Sequence, residues 1–405
     1  MEELKSLAVS AGYSVSGRLE QVREPDPRYQ IGSGKIDELK KLVTETDAQR
    51  VIFDNELKPV QNYNLAKETG VEVIDRFQLI LEIFSKRAST REAQLQIQLA
   101  EQQYELQHAR ERVKLAKVEE QPGFGGLGAY EVDVYYEAVK RQIHIIQDKL
   151  KKIRRKRTLH RTRREKLGFT SISLAGYTGA GKSSLFNTLA EENVKVGAGL
   201  FTTLTTTTRA IDLFGKKALL TDTVGFIDRL PIPLIEAFHS TLEETIFSDL
   251  ILLVLDVSEP ENEIERKLSA SMDTIEKIGA TGVPLITALN KIDLLSKEEI
   301  ARKMEMLRDK TSDLILISAL QKTNMDTLKT ELTRFLKPYV QASFVVPIND
   351  TSLSLLSWLF ANADVKKVDY KGEEAAVVFE AVAEFAEEVI GRVKKLNGTV
   401  SIGHN

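Results

Sequence analysis

Gly176-Tyr177-Thr178-Gly179-Ala180-Gly181-Lys182-Ser183 is the stretch that decides the fold of this 405-residue chain. It satisfies G-x-x-x-x-G-K-[ST]. The apolar run Ile172-Ser173-Leu174-Ala175 precedes it, and the helix pattern Ser184-Leu185-Phe186-Asn187-Thr188-Leu189 follows, which is the strand–loop–helix context the motif needs. Glycines there let backbone amides turn inward around phosphates, and the helix N-terminus adds favourable partial charge. Lys182 is expected at the β- and γ-phosphates, the Ser183 hydroxyl on Mg²⁺, and Ser184 next in the same nucleotide-contacting run. Alone, the loop specifies a nucleoside triphosphate and no base.

Working outward, Leu219-Leu220-Thr221-Asp222-Thr223-Val224-Gly225 reads as an apolar strand ending in a carboxylate. Asp222 is expected at the Mg²⁺ through water, and the Gly225 amide at the γ-phosphate, where only glycine allows so close an approach. Base choice comes from Asn290-Lys291-Ile292-Asp293 after the run Pro284-Leu285-Ile286-Thr287-Ala288-Leu289. Asp293 can accept both N1–H and N2–H₂ of guanine, whereas adenine offers no such donor pair and would leave the charge unpaired. The Lys291 stem should cover the base face, and Asn290 should tie this loop to the phosphate loop. Ser318-Ala319-Leu320, after the strand Leu314–Ile317, fits a loop whose amide meets guanine O6. Each tetrapeptide is weak evidence alone; four elements in this order, each at a strand's C-terminal end, are strong evidence.

Between the phosphate loop and Asp222 lies Phe201-Thr202-Thr203-Leu204-Thr205-Thr206-Thr207-Thr208-Arg209. A threonine-rich surface loop is common. In this position it reads as a first switch, in which one threonine ligates Mg²⁺ and binds the γ-phosphate only while GTP is present. Spacing does not say which threonine. After Gly225 stands Phe226, where many small GTPases place a water-orienting glutamine; a phenyl ring cannot hydrogen-bond that water, so slow intrinsic turnover is expected. Pro231-Ile232-Pro233 fixes two φ angles in the second switch, and is read either as a helix start or as a stiffened switch.

The rest of the chain divides by pattern. Residues 1–86 alternate short apolar strands, Val51-Ile52-Phe53-Asp54 and Val71-Glu72-Val73-Ile74-Asp75, with helical stretches Lys35–Val43 and Val60–Glu68, which predicts a small parallel α/β domain. Within it, Gly32-Ser33-Gly34-Lys35 could be a second nucleotide site, but it lacks the length and hydroxyl of a phosphate loop, and a tight turn or a ribosomal contact is preferred. Residues 87–167 carry two heptad seams. One runs Leu95, Leu99, Gln102, Leu106, Ala109, Val113, Ala116; the other runs Val139, Ile143, Ile146, Leu150, Ile153. The glycine-rich break Gln121–Gly128 between them predicts an antiparallel helical hairpin. Its end, Lys149–Lys166, is densely basic; the plain reading is a solvated face, and the local one is contact with a phosphate backbone, most simply RNA. The central nucleotide domain spans 168–340. Residues 341–405 read strand–helix–strand–strand–helix–strand, a small ferredoxin-like α+β module whose chemistry is silent.

Composition bounds the alternatives. A formal net charge of −3 excludes binding of nucleic acid by the molecule's overall charge, so any such patch must be local. The absence of cysteine removes disulfides, zinc–thiolate sites and thiol chemistry, and fits a reducing cytoplasm. His108, His144, His160, His239 and His404 show no ligand spacing. No stretch is apolar and long enough for a bilayer, and the start Met1-Glu2-Glu3-Leu4-Lys5 lacks a signal peptide's apolar run, so a soluble intracellular protein is expected.

With these motifs in place, the sequence resembles the HflX family, within the Obg/HflX-like translation-factor GTPases. The resemblance covers most of the chain. It is most specific at Gly176–Ser183, Leu200-Phe201-Thr202-Thr203-Leu204, Thr207-Thr208-Arg209, Asp222-Thr223-Val224-Gly225-Phe226-Ile227, and Leu230-Pro231 with Glu236–Glu244; Tyr29–Lys35 resembles the domain ahead of the GTPase. The resemblance implies a cytoplasmic GTPase that binds the large ribosomal subunit, uses Mg²⁺, and takes Thr203 as its switch magnesium ligand. The chain departs from the family at Gly123–Tyr130, which lacks a longer arginine- and proline-containing loop, and at Thr205 and Thr206, where aspartate and proline are usual.

The expectation is therefore a four-part α/β protein. A central P-loop GTPase domain is preceded by an α/β domain with its hairpin and followed by the small α+β module. Lys182, Thr203 and Gly225 act at the γ-phosphate, the metal set is Ser183, Thr203 and Asp222, and the molecule is a monomer that couples GTP or GDP occupancy to ribosome association through rRNA, away from membranes. The rival class is a ribosome- or RNA-binding module gated by GTP occupancy alone, in which hydrolysis is incidental.

Overall fold

A computed structural model describes residues 2–119, 127–166, 169–191, 207–223, 225–228, 234, 244–311 and 313–403. The chain divides into two compact units, the first taking in the described residues up to 153 together with 225–228 and 234, the second holding the remainder.

In the first unit, apolar residues at strand and helix spacing form α1 (Glu2–Ser10), α2 (Ser33–Thr46), β1 (Arg50–Phe53), α3 (Pro59–Thr69), β2 (Glu72–Asp75) and α4 (Arg76–Arg87). β1 and β2 pair in parallel, Val51 opposite Val73 and Ile52 opposite Ile74. The crossover through α3 places Leu39, Val43, Leu57, Leu65 and Val73 in one core. The expected parallel domain is present, its sheet only two strands wide. Gly32 is the N-cap of α2, and Lys35 forms an ion pair with Glu38 within that helix.

Asp75 joins this domain to the helical part. Its side chain is fully buried. It accepts hydrogen bonds from the Leu57 amide at 3.1 Å, the Gln78 amide at 2.9 Å and the Tyr104 hydroxyl at 3.0 Å. The Gln78 bond caps α4. Tyr104 lies on α5 (Arg91–Glu119), with its ring stacked on Phe77 at 4.7 Å. Burial, with the neighbouring Asp75 charge, holds the Tyr104 hydroxyl well above the ordinary tyrosine range, so it stays a donor.

α6 (Leu127–Lys166) runs beside α5, the Tyr135 hydroxyl donating to Glu105 at 3.0 Å. Leu95 and Leu99 are buried on one helix and Val139, Ile143 and Ile146 on the other, as heptad spacing predicts. Burial on α5 also extends to Ile97, Ala100 and Tyr104, because this part of the helix packs on α4 as well. α6 begins at Leu127, inside the stretch expected to be the break. The side chains of Ala109, Val113 and Ala116, and residues 120–126, lie outside the described residues.

The second unit is built on a six-stranded sheet: β3 (Thr170–Ala175), then α7 (Lys182–Ala190), β4 (Thr207–Leu213), β5 (Lys216–Asp222) and β6 (Leu250–Asp256). After these come α8 (Glu261–Lys277), β7 (Leu285–Asn290), α9 (Lys297–Arg308), β8 (Leu314–Leu316) and α10 (Met325–Thr333). The strand order is β4-β5-β3-β6-β7-β8, with β4 antiparallel and every other neighbour parallel. Leu250 to Leu255 are all buried, the unbroken apolar run of a central parallel strand covered on both faces. Because β3, β5, β6 and β7 run the same way, their C-terminal residues emerge at one edge, where ligands bind open α/β sheets.

The last part contributes β9 (Tyr339–Pro347), α11 (Asp350–Asn362), β10 (Asp364–Lys371), β11 (Glu374–Val382), α12 (Ala383–Lys395) and β12 (Thr399–Gly403). The sheet order β10-β11-β9-β12, with all neighbours antiparallel, is the ferredoxin-like arrangement expected from the sequence. Phe344, Phe379 and Phe385 fill its core.

Asp75→Ala should destabilise the first unit by about 3 kcal/mol, since it removes a helix cap and strands buried donors. Calorimetric unfolding checks this, and a change under about 1 kcal/mol would show that these donors find other partners.

Candidate nucleotide site

The loop between β3 and α7 takes its shape from backbone geometry that only glycine tolerates. Gly176 has φ +134°, and a Cβ there would lie 2.3 Å from the Val254 carbonyl oxygen; Gly181 has φ +96°, and a Cβ there would lie 2.2 Å from the Asn290 amide nitrogen. Both glycines are therefore fixed by close approach of neighbouring strands.

Lys182 opens α7 and is buried. Its ammonium donates to the Gly176 carbonyl at 2.9 Å and the Tyr177 carbonyl at 3.0 Å. Burial lowers its pKa to about 8, against the partial offset of the Asp222 charge. The Ser183 hydroxyl donates to Asp222 at 3.0 Å, and both side chains are buried. Next to it, the Thr223 hydroxyl donates to the Leu174 carbonyl at 2.6 Å, locking the end of β5 to β3. Two adjacent oxygen donors with no sulfur or imidazole between them form the kind of set that suits a hard cation such as Mg²⁺.

Asn290 ends β7 with its side chain buried. Its amide nitrogen donates to the Ala180 carbonyl at 2.8 Å, and its oxygen accepts from the Ala319 amide at 2.9 Å. The Thr188 hydroxyl, nearly two helical turns into α7, also donates to the Ala319 carbonyl at 3.0 Å. Thus the phosphate loop, the Asn290 segment and Ser318-Ala319-Leu320 are joined by side-chain bonds. Ser318 and Ala319 are buried, whereas Leu320 is exposed. Asp293 sits exposed in a single 3₁₀ turn, Ile292–Leu294, beyond Lys291.

The structure thus brings together Gly176, Tyr177, Thr178, Gly179, Ala180, Gly181, Lys182, Ser183, Ser184, Asp222, Thr223, Asn290, Lys291, Asp293, Ser318, Ala319 and Leu320 at the C-terminal edge of the sheet or its loops. Phe201, Thr202, Thr203, Leu204, Thr205 and Val224 lie outside the described residues, as do Pro231 and Pro233. Gly225 and Phe226 are buried within the first unit. There the Asp228 amide donates to Glu3 at 3.3 Å, and its carbonyl accepts from Arg76 at 3.0 Å. Arg76 is itself paired with Glu3 at 3.1 Å and Asp54 at 2.6 Å.

Two residues escaped the sequence reading. Thr188 was visible only as part of a helix pattern. Asp256, the last residue of β6, pairs with Lys291 at 2.5 Å; its signal is a carboxylate closing an apolar strand, the same signal that picked out Asp222.

Known proteins give a consistent picture. Residues 171–291 match the family described as 50S ribosome-binding GTPase, residues 1–85 the GTP-binding GTPase N-terminal family, and residues 87–164 the GTP-binding GTPase middle region. The chain is 44% identical to GTPase HflX of Methanocaldococcus jannaschii, covering 98% of this chain and 96% of that one. It is 41% identical to GTPase HflX of Thermococcus kodakarensis, covering 98% and 91%. A crystal structure of a GTP-binding protein from Sulfolobus solfataricus in complex with GDP aligns with a TM-score of 0.43 at 28% identity, over 83% of this chain and 94% of that one.

Asn290→Ala should lower the stability of the nucleotide-free second unit by about 2 kcal/mol, because the Ala180 carbonyl and Ala319 amide lose a buried partner. Denaturant melts of the two proteins without nucleotide test this; coincident curves would show that the tie carries no weight.

Proposed function

The chain belongs to the HflX family of GTPases, and from that premise we propose that it is a Mg²⁺-dependent switch whose nucleotide state governs association with the large ribosomal subunit. It is a GTP hydrolase. The observation that carries the reading is the joined set of Lys182, Ser183–Asp222 and Asn290 at one sheet edge, which offers a cation, an oxygen pair and a base loop in the order a nucleotide needs.

In this reading Lys182 exchanges the Gly176 and Tyr177 carbonyls for β- and γ-phosphate oxygens, while the loop amides of residues 178–184 take the remaining phosphate charge. Ser183 and Asp222, the latter through water, would hold Mg²⁺ together with Thr203. When bound, the ion neutralises charge that develops on the transferred phosphoryl group. Thr203 and the Gly225 amide contact the γ-phosphate only in the GTP state, so its loss frees both switches. Asp293 selects guanine, Lys291 covers its face, and an amide of the loop Ser318-Ala319-Leu320 meets O6. Phe226 gives the attacking water no hydrogen bond, so turnover is slow until a partner, a switch threonine or an ion positions it.

Ribosome association draws support from the family description matched by residues 171–291 and from α6, where Lys151, Lys152, Arg154, Arg155 and Lys156 are all exposed. Such a row fits a phosphate backbone. The reading takes the protein as a cytoplasmic monomer of four parts, 1–86, 87–167, 168–340 and 341–405; among the described residues no helix is long and apolar enough to cross a membrane. Co-sedimentation with ribosomal subunits tests the coupling. Retention with a non-hydrolysable GTP analogue should exceed retention with GDP about tenfold, and ribosomes should raise turnover; equal retention in both states overturns it. Analogue-dependent retention with unchanged turnover would favour the occupancy-gated module instead.

Two further outcomes test individual residues. Asp293→Asn replaces a double acceptor with one acceptor and one donor, which complements xanthine, so preference should pass from GDP to XDP by about a hundredfold in competition binding. At pH 8.5, binding of GDP should draw in part of a proton, because Lys182, its pKa lowered to about 8, is partly neutral there and is charged beside phosphate. At pH 6.5 Lys182 is already charged and its uptake vanishes. Calorimetry in buffers of differing ionisation enthalpy reads both values, and equal uptake at the two pH values would contradict the assignment.

A further inference from the structure

We propose that Asp256 is a positioning residue for guanine binding, one that holds the Lys291 side chain in place as the platform for the purine face. The inference rests on the reading above, in which Lys291 and Asp293 form the base site.

Strand register delivers the two groups to each other. β6 and β7 are parallel neighbours with Asp256 opposite Asn290, so the residue following Asn290 emerges beside the end of β6. The Val257 amide donates to the Asn290 carbonyl at 3.1 Å, extending that pairing past the strand ends. Lys291 then adopts the left-handed conformation, φ 69° and ψ 32°, which a residue with a Cβ rarely takes unless its surroundings impose it. On its far side the Ile292 amide donates to the Ile317 carbonyl at 3.3 Å. The backbone of Lys291 is thereby fixed at both ends, which leaves the side chain as the freedom still to be restrained.

Asp256 restrains it. The carboxylate is largely buried, 9% exposed, and its two oxygens do different work. Oδ2 meets the Lys291 ammonium at 2.5 Å. Oδ1 accepts from the Ser258 amide at 3.0 Å and the Ser258 hydroxyl at 2.6 Å. The Ser258 bonds lock the carboxylate, and the locked carboxylate anchors the ammonium. The four-carbon stem of Lys291 is stretched between two fixed points beside Asp293. A free lysine would have to give up rotamer entropy on ordering against a base; here that ordering precedes the ligand. The Asp256 carboxylate bonds to Ser258 and Lys291 and, among the described residues, to none of the phosphate loop, so the effect falls on the purine.

The test uses the full chain. Asp256→Asn keeps an oxygen for Ser258 and removes the charge facing Lys291. It should weaken GDP binding about tenfold, about 1.4 kcal/mol, through faster release, with kcat at saturating GTP within about twofold of wild type and KM raised. IDP, which lacks the exocyclic amine read by Asp293, should weaken by the same factor as GDP, since the platform serves any purine. Lys291→Met should release GDP faster as well, and the double variant should be no weaker than Lys291→Met alone. The proposal is overturned if Asp256→Asn binds GDP within about twofold of wild type, if the GDP-to-IDP ratio changes, or if the two single effects multiply. Should the asparagine variant fail to fold, Lys291→Met decides: unchanged GDP release rejects the platform. Failure of the wild-type chain to take up GDP is a separate result that removes the base site itself.

Discussion

A single buried amide, that of Asn290, ties together three segments of the candidate nucleotide site. It donates to the phosphate loop at Ala180 and accepts from the loop that carries Ala319, so three segments far apart in sequence share one side chain. Its approach is also why Gly181 is glycine, since a Cβ there would strike the Asn290 nitrogen. Paired on both sides and away from water, such an amide is stabilising only with every partner in place. The parallel sheet makes this possible, because β3, β5, β6 and β7 deliver their C-terminal residues to one edge.

Charge at that edge centres on one buried cation, Lys182. A buried lysine is costly, and Lys182 is tolerated because two loop carbonyls and the field of Asp222 offset its burial. Carbonyls are weaker partners for an ammonium than phosphate oxygens. In the proposed GTP-binding reading, the loop exchanges one set of acceptors for the other. Asp256 plays a comparable part on the base side, where an ion pair is formed in advance of the ligand.

What could be read from the sequence depended on how local the determinant was. The phosphate loop, the strand ending at Asp222 and the Asn290–Asp293 turn are contiguous, and their flanks alone place them on strands and loops. The βαββαβ order of the last domain was legible for the same reason: alternation and turn residues lie within a few positions of each other. Asp256 and Thr188 were not legible, because their importance comes from register between β6 and β7 and from the packing of α7 against the Ala319 loop. The breadth of the buried face on α5 was likewise hidden. A heptad seam describes one partner, and only the fold shows that Tyr104 turns toward Asp75 and Phe77.

The central claim is that the phosphate cradle and the Asp293 carboxylate act together to select one purine nucleotide. Titration of the intact chain with GDP and separately with ADP, in the presence of Mg²⁺ and with bound nucleotide first removed, tests it most directly. The account predicts one GDP per chain, with ADP at least about a hundredfold weaker. Equal uptake of the two, or none of either, would contradict it.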